Sequence, residues 1–354
     1  MKLGFGLYRH MLNAEHYKFA KQCGATHLII HMVDYFGHNR DKSDQPVGGE
    51  YGWGRAGNPD EIWSYKELLA IKKNINAYGL ELEAIENFDP AHWYDILLDG
   101  PKKEQQIANI KQLIRNVGRA GIPVFGYNFS IAGVAARTQG AYARGGAVSV
   151  GMEGGDDTPI PNGMVWNMLY DDKAPEGSVP KIDHGELWER LDYFLKEILP
   201  VAEEAGVKMA AHPDDPPMPY VRNTPRLVYQ PEMYQKLIDL NPSPSNNLEF
   251  CLGSIAEMTE GDVYEATDTY SKQRRISYIH FRNVVGKVPH YKEVFVDEGD
   301  IDMFKILKIL KKNNFDGVLI PDHTPQMTCD APWHAGMAYA MGYMKAAMAL
   351  VNQS

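Results

Sequence analysis

The sequence predicts an α/β fold, a (β/α)8 TIM barrel with a long loop inserted after the fourth strand. Eight short apolar segments alternate with helix-length amphipathic segments, which is the pattern of a parallel sheet covered by helices. Eight such units close a barrel, and 354 residues are enough to build one. No Gly-x-Gly-x-x-Gly follows the first strand, which disfavours a doubly wound open sheet. We therefore expect a single TIM-barrel domain over residues 1–354.

Four strands and three helices are predicted before residue 130. The strands are the apolar segments 2–8, 26–32, 81–87 and 123–129, and the helices are expected over 13–23, 58–78 and 101–121. Gly24, Gly79 and Gly121 follow the three helices, as is typical of helix C-termini. Asn58 as the N-cap and Pro59 in the first turn indicate where the second helix begins.

Residues 130–183 interrupt this alternation. The segment is rich in Gly and Pro and has no clear hydrophobic period, and a connection this long is uncommon in a compact domain. Tyr142, Trp166 and Tyr170 indicate that it packs against another part of the protein. We expect an inserted loop that forms a lid over the carboxyl-terminal face of the barrel. A disordered insertion is the alternative.

The alternation resumes at residue 185 with an amphipathic helix. Leu187, Leu191, Phe194 and Ile198 fall at spacings of three and four, which places them on one apolar face. Strands are predicted over 208–213, 247–253, 276–284 and 317–323. Helices are expected to begin near residues 231 and 261 and to cover 301–313 and 336–351.

Composition limits the partners and the compartment. The net charge of −10 and the lack of a basic cluster argue against a nucleic-acid partner. No apolar run approaches the ~18 residues of a membrane span, and the N-terminus lacks the pattern of a signal peptide. Three cysteines do not suggest a disulfide framework. We therefore expect a cytoplasmic protein that acts on a small molecule.

Polar residues cluster at the carboxyl ends of the predicted strands, where TIM barrels carry their active sites. His212, Cys251, His280 and Asp322 end four consecutive strands at equivalent depth. Two imidazoles, a thiolate and a carboxylate can hold a divalent transition metal. The thiolate favours Fe, Co or Zn, the other ligands tolerate Mn, and sulfur disfavours Mg. Taken singly, the cysteine could be a core residue and each histidine a structural hydrogen-bonding group.

Five segments resemble the corresponding segments of D-mannonate dehydratases: MAAHPDDPP (209–217), LEFCLGS (248–254), YIHFRNV (278–284), EGDID (298–302) and LIPDHTPQ (319–326). The resemblance implies a xylose-isomerase-like TIM barrel that removes water from D-mannonate to give 2-keto-3-deoxygluconate, with Mn²⁺ or Fe²⁺. It also implies that His212, Cys251, His280 and Asp322 bind the metal, that His323 transfers protons, and that the chain forms a homodimer.

The resemblance leaves the second proton-transfer group open. Members of the family present a tyrosine in a Gly-Tyr pair, where this sequence has Gly336 and Met337. Tyr339 is our candidate for the phenol, and Tyr343 is an alternative.

An aldonate also requires groups that bind its carboxylate and its hydroxyls. Arg9 and Arg282, near the ends of the first and seventh strands, are candidates to pair with the carboxylate. His31, Asn87 and Asn283 are candidates to bind hydroxyls. Each arginine could instead form a structural ion pair at the barrel mouth.

Other functions fit the same residues. The nearest alternative is a dehydratase of another aldonate, and the next is a metal-dependent sugar isomerase or epimerase. A metal-dependent hydrolase and a sugar-acid binding protein without catalytic activity are more distant alternatives. An isomerase needs no arginine for a substrate carboxylate, so activity on neutral sugars would distinguish it.

Overall fold

Eight parallel strands close a barrel in the computed structural model, which describes residues 1–36 and 52–353. The strands are β1 (Lys2–Leu7), β2 (His27–His31), β3 (Glu81–Glu86), β4 (Val124–Tyr127), β5 (Lys208–Ala211), β6 (Asn246–Cys251), β7 (Ile276–His280) and β8 (Val318–Ile320). Each pairs with its neighbours in chain order. Lys2 and Leu3 of β1 pair with Val318 and Leu319 of β8, which closes the cylinder. The predicted TIM barrel is confirmed.

Helices surround the barrel and connect its strands. The α-helices are Ala14–Gln22, Tyr65–Asn76, Tyr94–Leu98, Lys103–Arg119, His184–Ala205, Met233–Leu240, Leu252–Glu257, Val263–Lys272, Met303–Lys312 and Pro332–Gln353. Short 3-10 helices cover Arg9–Met11, Pro90–His92 and Arg144–Gly146. None of the helices in the described ranges is long and apolar enough to cross a membrane.

The second predicted helix begins later than the sequence suggests. Asn58 does not cap it, because the Asn58 side chain accepts a hydrogen bond from the backbone N–H of Asp60, 3.1 Å away, within a turn. Ser64 is the N-cap, and its hydroxyl oxygen accepts from the backbone N–H of Glu67 at 3.2 Å. A serine cap satisfies an N–H group that the first helical turn leaves without a partner.

The core forms two layers, one inside the barrel and one between the barrel and the helices. The apolar face of His184–Ala205 is buried as predicted, since Leu187, Leu191, Phe194 and Ile198 are all fully covered. The barrel interior is filled by a separate cluster of side chains: Ile29, Ala84, Val124, Ala210, Tyr278, Val318 and Ile320. Because this cluster fills the barrel below its mouth, the polar residues at the carboxyl ends of the strands form the floor of the site.

A second, antiparallel sheet joins two distant parts of the chain. Its strands lie in the order Asn283–Lys287, His290–Val294, Ala147–Glu153 and Thr138–Ala143. We call it the accessory sheet. Two of its strands lie within residues 130–183, where the sequence shows no regular period. The inserted segment therefore contains regular structure that the sequence pattern does not reveal, and short two-residue strands, Met164–Val165 and Met168–Leu169, follow in the same segment.

The seventh predicted strand is also divided. Residues 276–284 were expected to form one strand, but β7 ends at His280 and an accessory strand begins at Asn283. The side chain of Asn283 explains the break. Its amide donates to the carbonyl oxygens of Val296 and Ile301, both at 3.0 Å, and its oxygen accepts from backbone N–H groups. These bonds hold the turn by which the chain leaves the barrel.

Candidate active site

A cavity opens at the carboxyl end of the barrel. It is lined by Tyr8, His31, Tyr35, Trp53, Glu86, Asn87, Asn128, Val134, Arg137, Trp166, His212, Asp215, His280, Asp322 and His323. The lining includes two of the predicted substrate-binding residues, His31 and Asn87, and the predicted proton-transfer residue His323. A cavity at this end of the barrel agrees with the general position of TIM-barrel active sites.

Three of the predicted metal ligands form a compact group. The ligand atoms of His212, Cys251 and His280 all lie within 4.8 Å of one another. They come from the ends of three consecutive strands, so the barrel brings together residues that are far apart in sequence. Asp322 follows β8, and its Oδ2 lies 3.5 Å from His280 Nδ1. Asp322 has a φ of 63°, a strained conformation that for a non-glycine residue often marks a functional site.

Hydrogen bonds orient both imidazoles toward this group. His212 Nδ1 lies 2.6 Å from the carbonyl oxygen of Pro213, so we assign the ring proton to Nδ1, which leaves Nε2 as the ligand atom. His280 Nε2 lies 3.2 Å from Glu86 Oε2 and 3.2 Å from Glu249 Oε1. His280 Nδ1 is buried and makes no hydrogen bond of normal geometry. Carbonyl and carboxylate groups commonly orient metal-ligating histidines in this way, so the donor set fits a metal ion.

The electrostatics of the group also favour a cation. Burial raises the pKa of the Cys251 thiol, but Arg282 and the neighbouring imidazoles outweigh burial and hold that pKa well below its usual value. Burial disfavours a proton on His212, but the negative charges of Glu249 and Cys251 raise its pKa to about 9. A negative potential that attracts a proton to an imidazole attracts a metal cation for the same reason.

His323 lies between two carboxylates. Its Nε2 is 3.2 Å from Asp322 Oδ2, and its Nδ1 is 2.9 Å from Glu293 Oε2. Burial opposes ionisation of Asp322, but His280 and His323 hold its pKa well below the usual value. The pKa of Glu293 is also lowered, because Arg282 and His323 outweigh the effect of burial. Both carboxylates are therefore anions that attract the imidazole.

Arg282 is enclosed by acidic side chains. Its guanidinium donates to Asp215 Oδ2 and to Ser254 Oγ, both at 2.9 Å, and it also donates to Glu293. Glu257 Oε1 lies 3.3 Å from the same group. These contacts engage the two terminal nitrogens of Arg282, its Nε lies 3.7 Å from Asp322 Oδ2, and the residue does not line the cavity. The geometry therefore gives it the role of balancing charge within the site and does not support the expected pairing with a substrate carboxylate.

A family model described as D-mannonate dehydratase (UxuA) matches residues 47–151 and 161–352. The chain belongs to this family. The mannonate dehydratase of Streptococcus equi subsp. zooepidemicus is 35% identical over 279 residues, which are 74% of this chain and 75% of the relative. The sequence resemblance to D-mannonate dehydratases is thereby confirmed.

Solved structures agree with the family assignment. The crystal structure of mannonate dehydratase from Streptococcus suis serotype 2 superposes with a TM-score of 0.74 at 28% identity, covering 100% of this chain and 94% of that one. A xylose isomerase domain protein from Planctomyces limnophilus gives a TM-score of 0.56 at 12% identity, covering 100% and 99%. At that identity the second likeness concerns the fold alone. It supports the expected xylose-isomerase-like barrel.

Three residues that the sequence suggested for this dehydratase site lie elsewhere. Arg9 is exposed, donates to the carbonyl oxygen of Met32 at 2.7 Å and does not line the cavity. Asn283 is committed to the backbone bonds of the β7 turn. Tyr339 also lies outside the cavity lining, and its hydroxyl accepts a hydrogen bond from Arg144 at 3.4 Å. The structure therefore gives no support to these three as groups that touch the substrate.

Several residues of the site were missing from the sequence-based set. Glu86 and Glu249 contact His280, and the position of Glu249 two residues before Cys251 was a signal that both face the barrel interior. Arg137 comes from the inserted segment, lines the cavity and lies 3.4 Å from Glu293. Nothing local marks Arg137, because the irregular sequence around it does not reveal which way the segment folds.

Aromatic rings form part of the lining of the cavity. Trp53 packs edge-on against Trp166 with ring centroids 5.4 Å apart, and Tyr35 contacts Trp53 at 5.1 Å. Tyr8 stacks on His31 at 5.0 Å. The backbone N–H of Trp53 also donates to the carbonyl oxygen of residue 167 at 2.7 Å, which joins the loop after β2 to the inserted segment.

Proposed function

We propose that this member of the D-mannonate dehydratase family removes water from D-mannonate and forms 2-keto-3-deoxy-D-gluconate. One observation carries the proposal. The metal-ligand group that includes His212 and His280 opens onto the same cavity as His323, so one substrate can reach both. Membership of the family indicates the reaction but not the residues that perform it. The residues that line the cavity are the candidates for each role.

The reaction requires proton transfer at two adjacent carbons. The proton on C2 is weakly acidic because the neighbouring carboxylate is already negative, and the hydroxyl on C3 leaves poorly without a proton. A divalent cation bound at the ligand group would supply positive charge for the carboxylate and an adjacent hydroxyl. The protein must supply a base for C2, an acid for the C3 oxygen and groups that hold the remaining hydroxyls.

We assign these tasks to residues that line the cavity. His323 is the leading proton-transfer group, since an imidazole can serve as acid or base near neutral pH. His31 and Asn87 bind hydroxyls. Arg137 replaces Arg9 and Arg282 as the arginine that attracts the substrate carboxylate, because it lines the cavity and they do not. Tyr8, which lines the cavity, and Tyr339 are the two candidates for the second proton-transfer group.

We propose Mn²⁺ or Fe²⁺ as the metal, held by His212, Cys251, His280 and Asp322. Two imidazoles, one thiolate and one carboxylate suit a first-row transition metal, and sulfur disfavours Mg²⁺. Metal analysis of the purified protein by mass spectrometry would identify the ion. A protein that contains only Mg²⁺ when fully active would contradict the thiolate as a ligand.

The test of the function is a substrate panel. Protein loaded with Mn²⁺ or Fe²⁺ is incubated with D-mannonate, with other aldonates and with neutral ketoses, and the products are assayed for 2-keto-3-deoxy acids. We expect the highest kcat/KM with D-mannonate and no product from the ketoses. Product from another aldonate in place of D-mannonate would change the substrate, and isomerised ketoses without any dehydration would defeat the proposal.

We also propose that residues 130–183 act as a lid and that the chain forms a cytoplasmic homodimer. Val134, Arg137 and Trp166 line the cavity, which supports a covering role for the inserted segment. The homodimer rests on the family resemblance, and the cytoplasmic location rests on the sparse cysteines. Light scattering of the purified protein would give the mass of the assembly.

A further inference from the structure

Glu293 is a buried carboxylate that reaches the site from outside the barrel. It lies on the accessory strand His290–Val294, and only 3% of the residue is exposed. Its Oε2 is 2.9 Å from His323 Nδ1. The opposite ring nitrogen, Nε2, is the one beside Asp322. The contact with Glu293 therefore determines which side of the imidazole is turned toward the metal-ligand group.

We propose that Glu293 is a positioning residue that acts through His323. Its carboxylate accepts a hydrogen bond from the Nδ1–H group, which keeps Nε2 as the nitrogen that exchanges a proton with the substrate. When Nε2 takes up the substrate proton, the ring becomes an imidazolium and the adjacent carboxylate stabilises that charge. The imidazolium then releases that proton from Nε2 to solvent, which restores the neutral ring, and Glu293 stays ionised throughout. The inference rests on the proposed function, in which His323 transfers the proton.

Two arginines hold the carboxylate of Glu293 in place. Arg137 lies 3.4 Å from Oε1, and Arg282 donates to the same oxygen. Their positive charges keep Glu293 ionised and leave Oε2 directed at His323. A carboxylate fixed on one oxygen by arginine and bonded to a histidine through the other has little freedom to rotate. The contacts therefore suit an orienting role.

The inserted segment holds the strand that carries Glu293. The hydroxyl of Ser149 donates to the backbone carbonyl oxygen of Glu293 at 2.6 Å. Two residues of the same strand, Tyr291 and Lys292, pair with Met152 and Gly151 of the insertion. Arg137 belongs to the insertion as well. The accessory sheet thus connects residues 130–183 to the proton-transfer histidine, which gives the long insertion a task in catalysis beyond covering the cavity.

A carboxylate that orients a histidine affects the rate more than the binding of substrate. In other enzymes such a partner fixes the tautomer and stabilises the charged ring, and the group that directly contacts the substrate is unchanged. Loss of groups that support a site residue commonly costs roughly 10–100-fold in activity. We therefore expect changes at Glu293 to appear in kcat and to leave KM nearly unaltered.

The experiment compares Glu293→Gln with Glu153→Gln. Both changes remove one negative charge from the accessory sheet, but Glu153 is exposed on the neighbouring strand and does not line the cavity. For Glu293→Gln we expect kcat on D-mannonate to fall roughly 10–100-fold, with KM and metal content unchanged. Glu153→Gln should match the wild type. Wild-type kcat in Glu293→Gln, or a raised KM with kcat unchanged, would overturn the inference.

Two further variants distinguish a variant that does not fold, an incorrect positioning role and an incorrect proposed function. If Glu293→Gln does not fold, Ser149→Ala removes only the hydroxyl that holds the strand and should lower kcat to a smaller extent at constant KM; an unchanged kcat would count against the inference. His323→Asn tests the proposed function itself. Full activity in His323→Asn would defeat that function, whereas an inactive His323→Asn beside a fully active Glu293→Gln would defeat only the positioning role.

Discussion

At the scale of single residues, Arg282 offsets the negative charge around the metal ligands. Its guanidinium lies 3.4 Å from Cys251 Sγ and 2.9 Å from Asp215 Oδ2. Burial opposes the ionisation of two other acids near the ligand group and raises the pKa of Glu249 and of Glu257 well above the usual range. The thiolate keeps its charge because a buried cation is fixed beside it.

Tyr8 is better placed than Tyr339 to be the second proton-transfer group. Tyr8 lines the cavity and stacks on His31, whereas Tyr339 contacts Arg144 away from the cavity. Burial raises the pKa of Tyr8, and the negative charge of Asp322 adds to that effect. The phenol is therefore protonated at neutral pH, as a group that donates a proton to a leaving hydroxyl must be.

The first prediction compares the two phenols. Tyr8→Phe should lower kcat on D-mannonate by ~10²-fold or more, because general acid catalysis of this kind contributes about that much. Metal content should stay at the wild-type level. Tyr339→Phe removes the same hydroxyl at a position outside the cavity and should leave kcat within about a factor of two of wild type. The opposite pattern of rates would return the role to Tyr339.

At the scale of elements, Arg226 joins the loop after β5 to the inserted segment. Arg226 is fully buried, and its Nε lies 2.8 Å from Asp214 Oδ1. It also donates to the carbonyl oxygens of Gly133 at 2.7 Å and of Asp215 at 3.1 Å. Gly133 lies close before the cavity residues Val134 and Arg137, so this arginine helps to define the rim of the site.

The second prediction concerns the stability of this contact. Arg226→Met leaves the Asp214 carboxylate buried without its ion-pair partner, so the free energy of unfolding should fall by roughly 3–5 kcal/mol. Arg55→Met is the matched control, because Arg55 pairs with Asp172 at 2.8 Å on the surface. Exposed pairs contribute about 0–1 kcal/mol. Urea denaturation followed by circular dichroism measures the free energy of unfolding of each variant. Equal losses in the two variants would show that the buried pair stabilises the protein no more than the exposed pair does.

At the scale of the whole molecule, the barrel and part of the site could be predicted because they depend on local signals. Each strand is a short apolar run, and parallel strands place their carboxyl ends at one edge of a barrel. That rule predicts that His212, Cys251 and His280 lie close together, and their donor atoms indicate a metal site. The boundaries of the helices follow less directly from the sequence. Asn58 is expected to cap the second helix, but its side chain bonds within a turn and Ser64 is the N-cap.

The accessory sheet and the surroundings of Arg282 could not be predicted in this way. Ala147–Glu153 pairs with His290–Val294, and neither segment contains a sign of its distant partner. Arg282 follows a strand end, which suggests a substrate group, but its role depends on Glu257 and Glu293 from other elements. Pairings between segments far apart in sequence depend on the packing of the complete chain. The residue pattern of one segment does not indicate its distant partner.

The last prediction concerns the metal ion and the stability of the entire barrel. The four proposed ligands come from the ends of β5, β6, β7 and β8, so an ion held by them would link half of the barrel strands at the mouth. Binding to the folded state alone stabilises that state by about 2.7 kcal/mol when the free ion is at 100 times its Kd. Adding Mn²⁺ to metal-free protein should therefore raise the Tm measured by calorimetry.

The controls decide whether the ion acts at the proposed ligands. Cys251→Ala removes the thiolate and should reduce or abolish the rise in Tm. Mg²⁺, which binds poorly to sulfur, should have a much smaller effect than Mn²⁺ on the wild type. His323→Asn keeps all four ligands and should respond to Mn²⁺ as the wild type does. An equal rise in Cys251→Ala would place the stabilising ion elsewhere in the protein, because only the wild type and His323→Asn retain the complete ligand set.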